Sequence, residues 1–234
     1  MFTSPAFLIG IVFMLIGLAV SQMLKSKFNK YSKIPLSTNL SGKEVAEKML
    51  RYYGINDVKI ESVLGKLTDH YNPINKTVNL SPEVYEGRSS AAAAIAAHEC
   101  GHAVQHATAY SMLKLRTALV PLQNASGKII NIIVMVSIFG GYFLFKALPF
   151  DLILYTIIAA YGVITTFSFV TLPVEFDASN RALVWMRSNG IVNSTEYDNA
   201  KDALKWAAST YVVAAIGSLA TLMYYVSLLG GRRD

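Results

Sequence analysis

The chain has 234 residues, of which 53% are hydrophobic and 15% charged, and its formal net charge at pH 7 is +6. A soluble domain usually carries about 25% charged residues, and here the deficit is concentrated in four long uncharged runs. This pattern indicates a membrane protein with one modest folded domain. The basic residues lack interleaved aromatic side chains, so the charge does not favour nucleic-acid binding. A single cysteine excludes an intramolecular disulfide.

The first apolar run covers residues 1–24, which contain no charged side chain and are long enough to cross a bilayer. A cleaved signal peptide would need basic residues before the apolar stretch and a small-residue cleavage site after it, and neither is present. Lysines follow directly at positions 25, 27, 30 and 33. We therefore expect a membrane anchor whose amino terminus lies outside and whose lysines lie in the cytoplasm.

The next region, residues 25–128, is predicted to form a small α+β domain. Ser41 and Glu44 have the spacing of a capping box, and the helix that they open should stop near Gly54. Later in this region Ser89 or Ser90 caps an alanine-rich helix that continues to about Ala107. Between these helices the pattern predicts a strand at 57–63, a turn at 72–76 and a strand at 77–80.

The remaining apolar runs predict three further membrane spans. Residues 129–145 and 152–172 flank a short turn and are predicted to form a transmembrane hairpin. Pro173 suits the first turn of a new helix, and Asn193 with Glu196 should cap another. Residues 211–229 then form the fourth span.

The distribution of basic residues predicts the orientation. Of the 21 Lys and Arg residues, 18 fall in residues 25–128 or 173–209, whereas Lys146 is alone in the hairpin loop. The positive-inside rule places the richer regions in the cytoplasm. Four spans then leave the tail outside with Arg232 and Arg233, and this conflict weakens the fourth span.

The most specific motif is His98-Glu99-Cys100-Gly101-His102, an HExxH sequence. Residues four apart lie one above the other on a helix, so the two imidazoles can bind one metal ion. Glu99 lies about 100° around the helix, where a general base for a metal-bound water belongs. The competing interpretation is two histidines and an acid on a solvated helix face. Cys100 points off the ligand face, which favours a small core residue over a thiol ligand.

A catalytic zinc ion needs a third protein ligand. The hairpin returns the chain to the same membrane face just before Glu175, which makes this carboxylate the candidate. Alternatively, Glu175 only stabilises a helix amino terminus. His106 continues the histidine face but lies about 12 Å along the axis from His98, too far to share the ion, and packing is the favoured role.

The segments HECGH and LTDHYNP, followed by a two-span hairpin and PVEFDAS, resemble the YugP-like neutral zinc metallopeptidases of bacterial membranes. The resemblance covers nearly the whole chain. It implies a membrane-anchored protease in which His98 and His102 bind Zn²⁺ and Glu99 is the catalytic acid and base. The organisation is also similar to the HtpX-type membrane proteases, whose third ligand is a glutamate after a transmembrane hairpin, and this likeness strengthens the case for Glu175.

One position departs from the HtpX-type pattern. That pattern has an Asp one turn beyond the ligand glutamate, where it orients a zinc histidine, but this chain has Ser179 there. The nearest acid, Asp177, faces nearly away from Glu175 on a regular helix. Either the helix starts after Glu175 and Asp177 points inward to orient a zinc ligand, or Asp177 is solvated or structural.

The expected fold class is a mainly α membrane protein with about four transmembrane helices and a small α+β, zincin-like cytoplasmic domain. The predicted organisation is an anchor at 1–24, the zincin-like domain at 25–128, a transmembrane hairpin at 129–172, helices with the third ligand at 173–209, and a transmembrane helix with its tail at 210–234.

The expected function is a zinc-dependent endopeptidase at the cytoplasmic membrane face, acting on membrane or unfolded proteins. An edge strand before the catalytic helix would hold an extended substrate, and His70, predicted in a turn, could be solvated or could stabilise the transition state. A site-2 intramembrane protease is disfavoured because the chain contains no Asp-Gly pair. The remaining alternative is a non-catalytic membrane adaptor that keeps a zinc site, although the intact Glu99 argues against it.

Overall fold

The structure is a computed structural model that describes residues 5–230, apart from the side chains of residues 141–147. The predicted position of the 231–234 tail lies outside the described residues. In chain order the elements are α1 (Pro5–Tyr31), α2 (Gly42–Tyr52), β1 (Lys59–Ser62), β2 (His70–Asn72), β3 (Thr77–Leu80), α3 (Pro82–Tyr85), α4 (Ser90–Ala107), α5 (Ser111–Ala147), α6 (Phe150–Ser188) and α7 (Ser194–Gly230).

The predicted helix caps are confirmed. The Ser41 side chain accepts the Glu44 backbone N–H, and the Glu44 carboxylate accepts the Ser41 N–H, so both bonds of a capping box are present. The chain leaves this helix through Gly54 in the left-handed region at φ +69°, a conformation that glycine adopts without steric cost. The Ser89 side chain accepts the N–H of Ala92 at the start of α4.

The three strands form one sheet in the order β1-β3-β2, with β1 parallel and β2 antiparallel to β3. The predicted β1 and β3 are confirmed, but the prediction of a turn at His70 is wrong. His70 lies in β2 opposite Asn79. A three-residue strand is too short to show a period of two in the sequence, and its pairing depends on contacts made by β3.

The last three helices are longer than the apolar runs that predicted them. α5 begins at Ser111, and α6 passes through Pro173 without a break. The prediction that Pro173 opens a new helix is therefore wrong. A proline in a helix removes one hydrogen bond, but Val174 and Ala178 just beyond it are fully buried, and this packing favours continuation of the helix.

Within residues 5–230, four helices are long and apolar enough to cross a membrane. They are Pro5–Tyr31, Ser111–Gly140, Phe150–Ser188 and Ser194–Gly230. The backbone of Gly140 leaves helical geometry at φ −142°. These helices agree with the four predicted spans in number and approximate position.

The chain divides into two compact units. One, here called the mixed unit, consists of residues Ala19–Lys114 and Leu172–Thr210, and it contains the sheet and α4. The other, here called the helical unit, consists of the residues up to Leu18, Leu115–Thr171 and the residues from Tyr211 onward. The mixed unit has a continuous core in which α2, α4 and β3 meet the start of α7 and the second part of α6.

Candidate metal centre

The HExxH residues lie in the middle of α4. Six alanines on the first two turns of this helix are buried, so neighbouring elements approach its backbone closely. The imidazoles of His98 and His102 lie one above the other with ring centroids 4.8 Å apart. This is the arrangement that the four-residue spacing predicts for two ligands of one ion.

Gly101 sets the distance between α4 and α6. A Cβ atom added to Gly101 would lie 2.5 Å from the carbonyl oxygen of Ala178 and 3.1 Å from its Cα. Real Cβ atoms do not approach backbone so closely, so a larger residue here would push the helices apart. The glycine of HECGH therefore allows α6 to bring its side chains to the histidine face.

Glu175 reaches both histidines from α6. Its Oε2 lies 3.4 Å from His98 Nε2 and 3.5 Å from His102 Nε2. The candidate ligand atoms of these three residues lie within 4.8 Å of one another, and the Glu175 side chain is only 3% exposed. Two imidazoles and one carboxylate form a typical catalytic zinc donor set, so these residues fit the ion that the sequence predicted.

The far side of each imidazole ring has its own hydrogen-bond partner. His98 Nδ1 lies 3.1 Å from Ser179 Oγ, and His102 Nδ1 lies 3.0 Å from Gln105 Oε1. Both Nε2 atoms therefore face Glu175. When Nε2 is free to bind a metal, Nδ1 carries the ring hydrogen and donates to these oxygens. Such bonds fix the orientation of a ligand ring.

Asp177 does not touch either histidine, although the sequence raised the possibility that it orients one. Its Oδ2 accepts Gln105 Nε2 at 2.8 Å and Arg181 Nε at 2.6 Å. Gln105 Nε2 also donates to the Val174 carbonyl at 2.7 Å. Asp177 is thus linked to His102 through one intervening amide, while the position one turn beyond Glu175, Ser179, holds His98.

Negative charge surrounds the buried histidine. Glu99 and His102 are each less than a tenth exposed. Burial by itself would lower the pKa of His102, but its hydrogen bond to Glu175 and the charges of Glu99 and Glu175 outweigh burial and raise that pKa. The same negative field favours a bound cation.

The outer part of α4 is linked to the edge strand β2. The Tyr71 hydroxyl lies 2.7 Å from His106 Nδ1, so His106 contacts the strand and is not a member of the ligand cluster. His70 also lies outside that cluster, is exposed, and donates its Nδ1–H to the Thr68 carbonyl at 2.8 Å. Just before β2, the Asp69 carboxylate accepts the Ser81 N–H at 2.7 Å.

Cys100 is a core residue, as its helix position predicted. It is fully buried, its thiol lies 3.7 Å from the Ala46 carbonyl oxygen, and burial raises its pKa. The sequence patterns predict no role for Gln105 or Tyr71. Gln105 lies three residues after His102, and this helical spacing places neighbouring side chains in contact, so that residue could have been found.

Comparison with known proteins agrees with this chemistry. A family model described as "Putative neutral zinc metallopeptidase" matches residues 6–230. The chain belongs to this family. It is also 41% identical over 213 residues to "Putative membrane protease YugP" of Bacillus subtilis (strain 168), in an alignment that covers 90% of each chain. No solved structure matches the chain significantly.

The metallopeptidase family assignment confirms the resemblance that HECGH and LTDHYNP indicated. The family name implies zinc, and His98, His102 and Glu175 could hold it. The name of the Bacillus relative describes that protein as a membrane protease. Within residues 5–230 of this chain, four helices are long and apolar enough to cross a membrane.

Proposed function

We propose that this protein is a membrane-anchored, zinc-dependent endopeptidase that hydrolyses peptide bonds in membrane or unfolded proteins at the cytoplasmic membrane face. The observation that carries the proposal is the convergence of His98 Nε2, His102 Nε2 and Glu175 Oε2 beside a largely buried Glu99. Family membership supports the same activity.

Each residue of the cluster has a distinct task in this proposal. His98, His102 and Glu175 hold the zinc ion, which when bound lowers the pKa of a water molecule and polarises the scissile carbonyl. Glu99 accepts a proton from the attacking water and delivers it to the leaving nitrogen. Ser179 keeps the His98 ring in its binding orientation.

The edge strand β2 is the proposed substrate contact. It lies at one side of the sheet, and Tyr71 connects it to the helix that carries the ligands. An extended peptide can add to such an edge through backbone hydrogen bonds. Because only a flexible chain can do so, we expect unfolded segments to be cleaved in preference to folded ones. His70 donates its Nδ1–H to the Thr68 carbonyl, so the neutral ring would accept a substrate N–H at Nε2, and only the protonated ring would donate there to a transition-state oxyanion.

Glu99→Gln tests the activity. We expect the purified, zinc-loaded protein in detergent to cleave an unfolded polypeptide and the Glu99→Gln protein to bind zinc without cleaving, because the amide cannot accept the proton. A general base typically contributes about 10²–10⁴-fold to the rate. If the Glu99→Gln protein keeps both zinc and the full biological effect, the protein is instead a non-catalytic adaptor.

Cysteine labelling tests the orientation. In a Cys100→Ala background, Leu64→Cys reports on the loop after β1 and Leu148→Cys on the turn between α5 and α6, and both native side chains are exposed. We expect a membrane-impermeant maleimide to label intact cells only at position 148. Labelling of intact cells at position 64 would place the site on the outer face.

A further inference from the structure

Gln105 has a hydrogen-bond environment that allows only one orientation of its amide. The side chain is fully buried, and its Nε2 end faces the Val174 carbonyl at 2.7 Å and the Asp177 carboxylate at 2.8 Å. Both of these groups only accept hydrogen bonds. In the reverse orientation Oε1 would face the Val174 carbonyl and the Asp177 carboxylate, and three acceptors would meet with no hydrogen between them. Neither amide hydrogen could then bond to Val174 or Asp177. Nε2 therefore keeps its two hydrogens on Val174 and Asp177.

This orientation determines the state of the neighbouring histidine. The atom of Gln105 that faces His102 Nδ1, at 3.0 Å, is Oε1, which can only accept. A neutral His102 ring must then carry its hydrogen on Nδ1, and the lone pair of Nε2 points toward Glu175. The hydrogen-bond network thus selects the tautomer that can bind a metal ion.

The Gln105 amide also bonds to the backbone next to the third candidate ligand, Glu175. The Val174 carbonyl that accepts from Gln105 belongs to the residue directly before Glu175. We propose that Gln105 is the positioning residue of the metal centre, holding His102 in its metal-binding tautomer and tying α4 to the backbone beside Glu175. This inference rests on the proposed zinc site.

Asp177 is the second acceptor that orients the Gln105 amide. Its Oδ2 accepts Gln105 Nε2 and is itself held by Arg181 Nε at 2.6 Å. The Arg181 guanidinium lies over the Tyr110 ring, 5.8 Å from its centroid. The Asp177 and Arg181 side chains are each about a quarter exposed, so the pair adds little stability by itself. Its role is to keep the amide from turning away from His102.

Gln105→Met provides the main test, because methionine fills nearly the same volume without polar groups that can make these bonds. We expect the full-length Gln105→Met protein in detergent to bind zinc about 10–100-fold more weakly than wild type in chelator competition, the range typical of losing such an outer partner. The visible spectrum of the cobalt-substituted protein should shift as well, because the ring is no longer held. Unchanged zinc affinity and an unchanged spectrum would overturn the inference.

Val104→Ala is the matched control for general destabilisation. Val104 precedes Gln105 on α4 and is equally buried, but it belongs to the apolar core of the mixed unit. Its truncation should lower the melting temperature of the metal-free protein and leave zinc affinity unchanged. If Val104→Ala weakens zinc binding as much as Gln105→Met does, Gln105 has only a packing role and the inference fails.

Asp177→Leu gives an independent measurement. It removes one of the two acceptors that orient the amide, and Val174 remains, so the expected loss of zinc affinity is smaller than for Gln105→Met. Should Gln105→Met fail to fold, Asp177→Leu decides alone, since unchanged affinity there refutes the inference. A wild-type protein that binds no zinc refutes the proposed function as well, whereas zinc binding that is indifferent to Gln105 refutes only the positioning role.

Discussion

The two sides of the candidate site are built in different ways. The helix side consists of His98, His102 and Glu175 with their partners Ser179 and Gln105, and it is largely buried, with each ring held by a defined hydrogen bond. The strand side consists of His70, Tyr71 and His106, and its hydrogen bonds are exposed. Metal binding needs ligands that are fixed in advance, whereas an extended substrate needs an open edge.

The largest effect should come from removing a ligand on the helix side. We expect His98→Ala to lose bound zinc completely and Glu175→Ala to lose it markedly, because two protein ligands do not make a catalytic zinc site. Metal analysis of the purified proteins beside wild type measures this. His70→Ala serves as the control, since His70 lies outside the cluster, and it should keep full occupancy. Stoichiometric zinc in the Glu175→Ala protein would show that Glu175 is not a zinc ligand.

The second effect should come from the close approach of α4 and α6. Gly101→Ala places a methyl group against the Ala178 backbone, and overpacking of this kind typically costs about 1–3 kcal/mol. Helix propensity alone would favour alanine by about 1 kcal/mol. A decrease in the free energy of unfolding would therefore indicate overpacking against α6, and an increase would indicate that propensity dominates. Thermal unfolding and zinc affinity should both decrease.

Gly127→Ala is the control for that substitution. Gly127 lies inside α5, and a Cβ atom there would meet nothing within 4 Å. We expect unchanged or higher stability, as propensity predicts. Equal behaviour of the two alanine variants would mean that the separation of α4 and α6 does not depend on Gly101.

The helix side was largely predictable from sequence, whereas on the strand side an edge strand was expected but its residues were not. The four-residue spacing of His98 and His102 indicates one helix face. The predicted hairpin returns the chain to the same membrane face just before Glu175. β2 depends on pairing with β3, which local sequence does not encode, so the sequence alone predicts a turn at His70, where the structure has a strand. Helix geometry alone does not decide the role of Asp177, because its link to His102 runs through the Gln105 side chain.

Pro173 illustrates the same limit. As a local signal this proline indicates the start of a helix, and a glutamate two residues later can stabilise such a start. In the structure α6 is continuous there, so Glu175 is not at a helix amino terminus. Tertiary packing of Val174 and Ala178 overrides the local preference. Stabilisation of a helix amino terminus therefore does not explain Glu175, whereas its contacts with the two histidines do.

A moderate effect is expected at Ser179, which lies one helical turn beyond Glu175. Ser179→Ala removes the oxygen 3.1 Å from His98 Nδ1, and a neutral hydrogen bond contributes about 0.5–1.5 kcal/mol. Zinc affinity should therefore fall by roughly 3–10-fold, as measured by chelator competition. Ser179→Asp restores an acceptor and should bind zinc at least as well as wild type. Loss of affinity in Ser179→Asp with none in Ser179→Ala would exclude an orienting role for this position.

The smallest effect should come from the strand side. Tyr71→Phe removes the hydroxyl that lies 2.7 Å from His106 and so loosens β2 from α4 without touching a metal ligand. Zinc content should stay unchanged, and KM for an unfolded substrate should rise a few-fold while kcat changes little, since the loss concerns substrate placement. Tyr71→Phe combined with His106→Ala should add little to either single change, because both remove the same bond. A large fall in kcat with KM unchanged would instead place the tyrosine hydroxyl in the chemical step, and the strand side would then share in catalysis as well as in substrate binding.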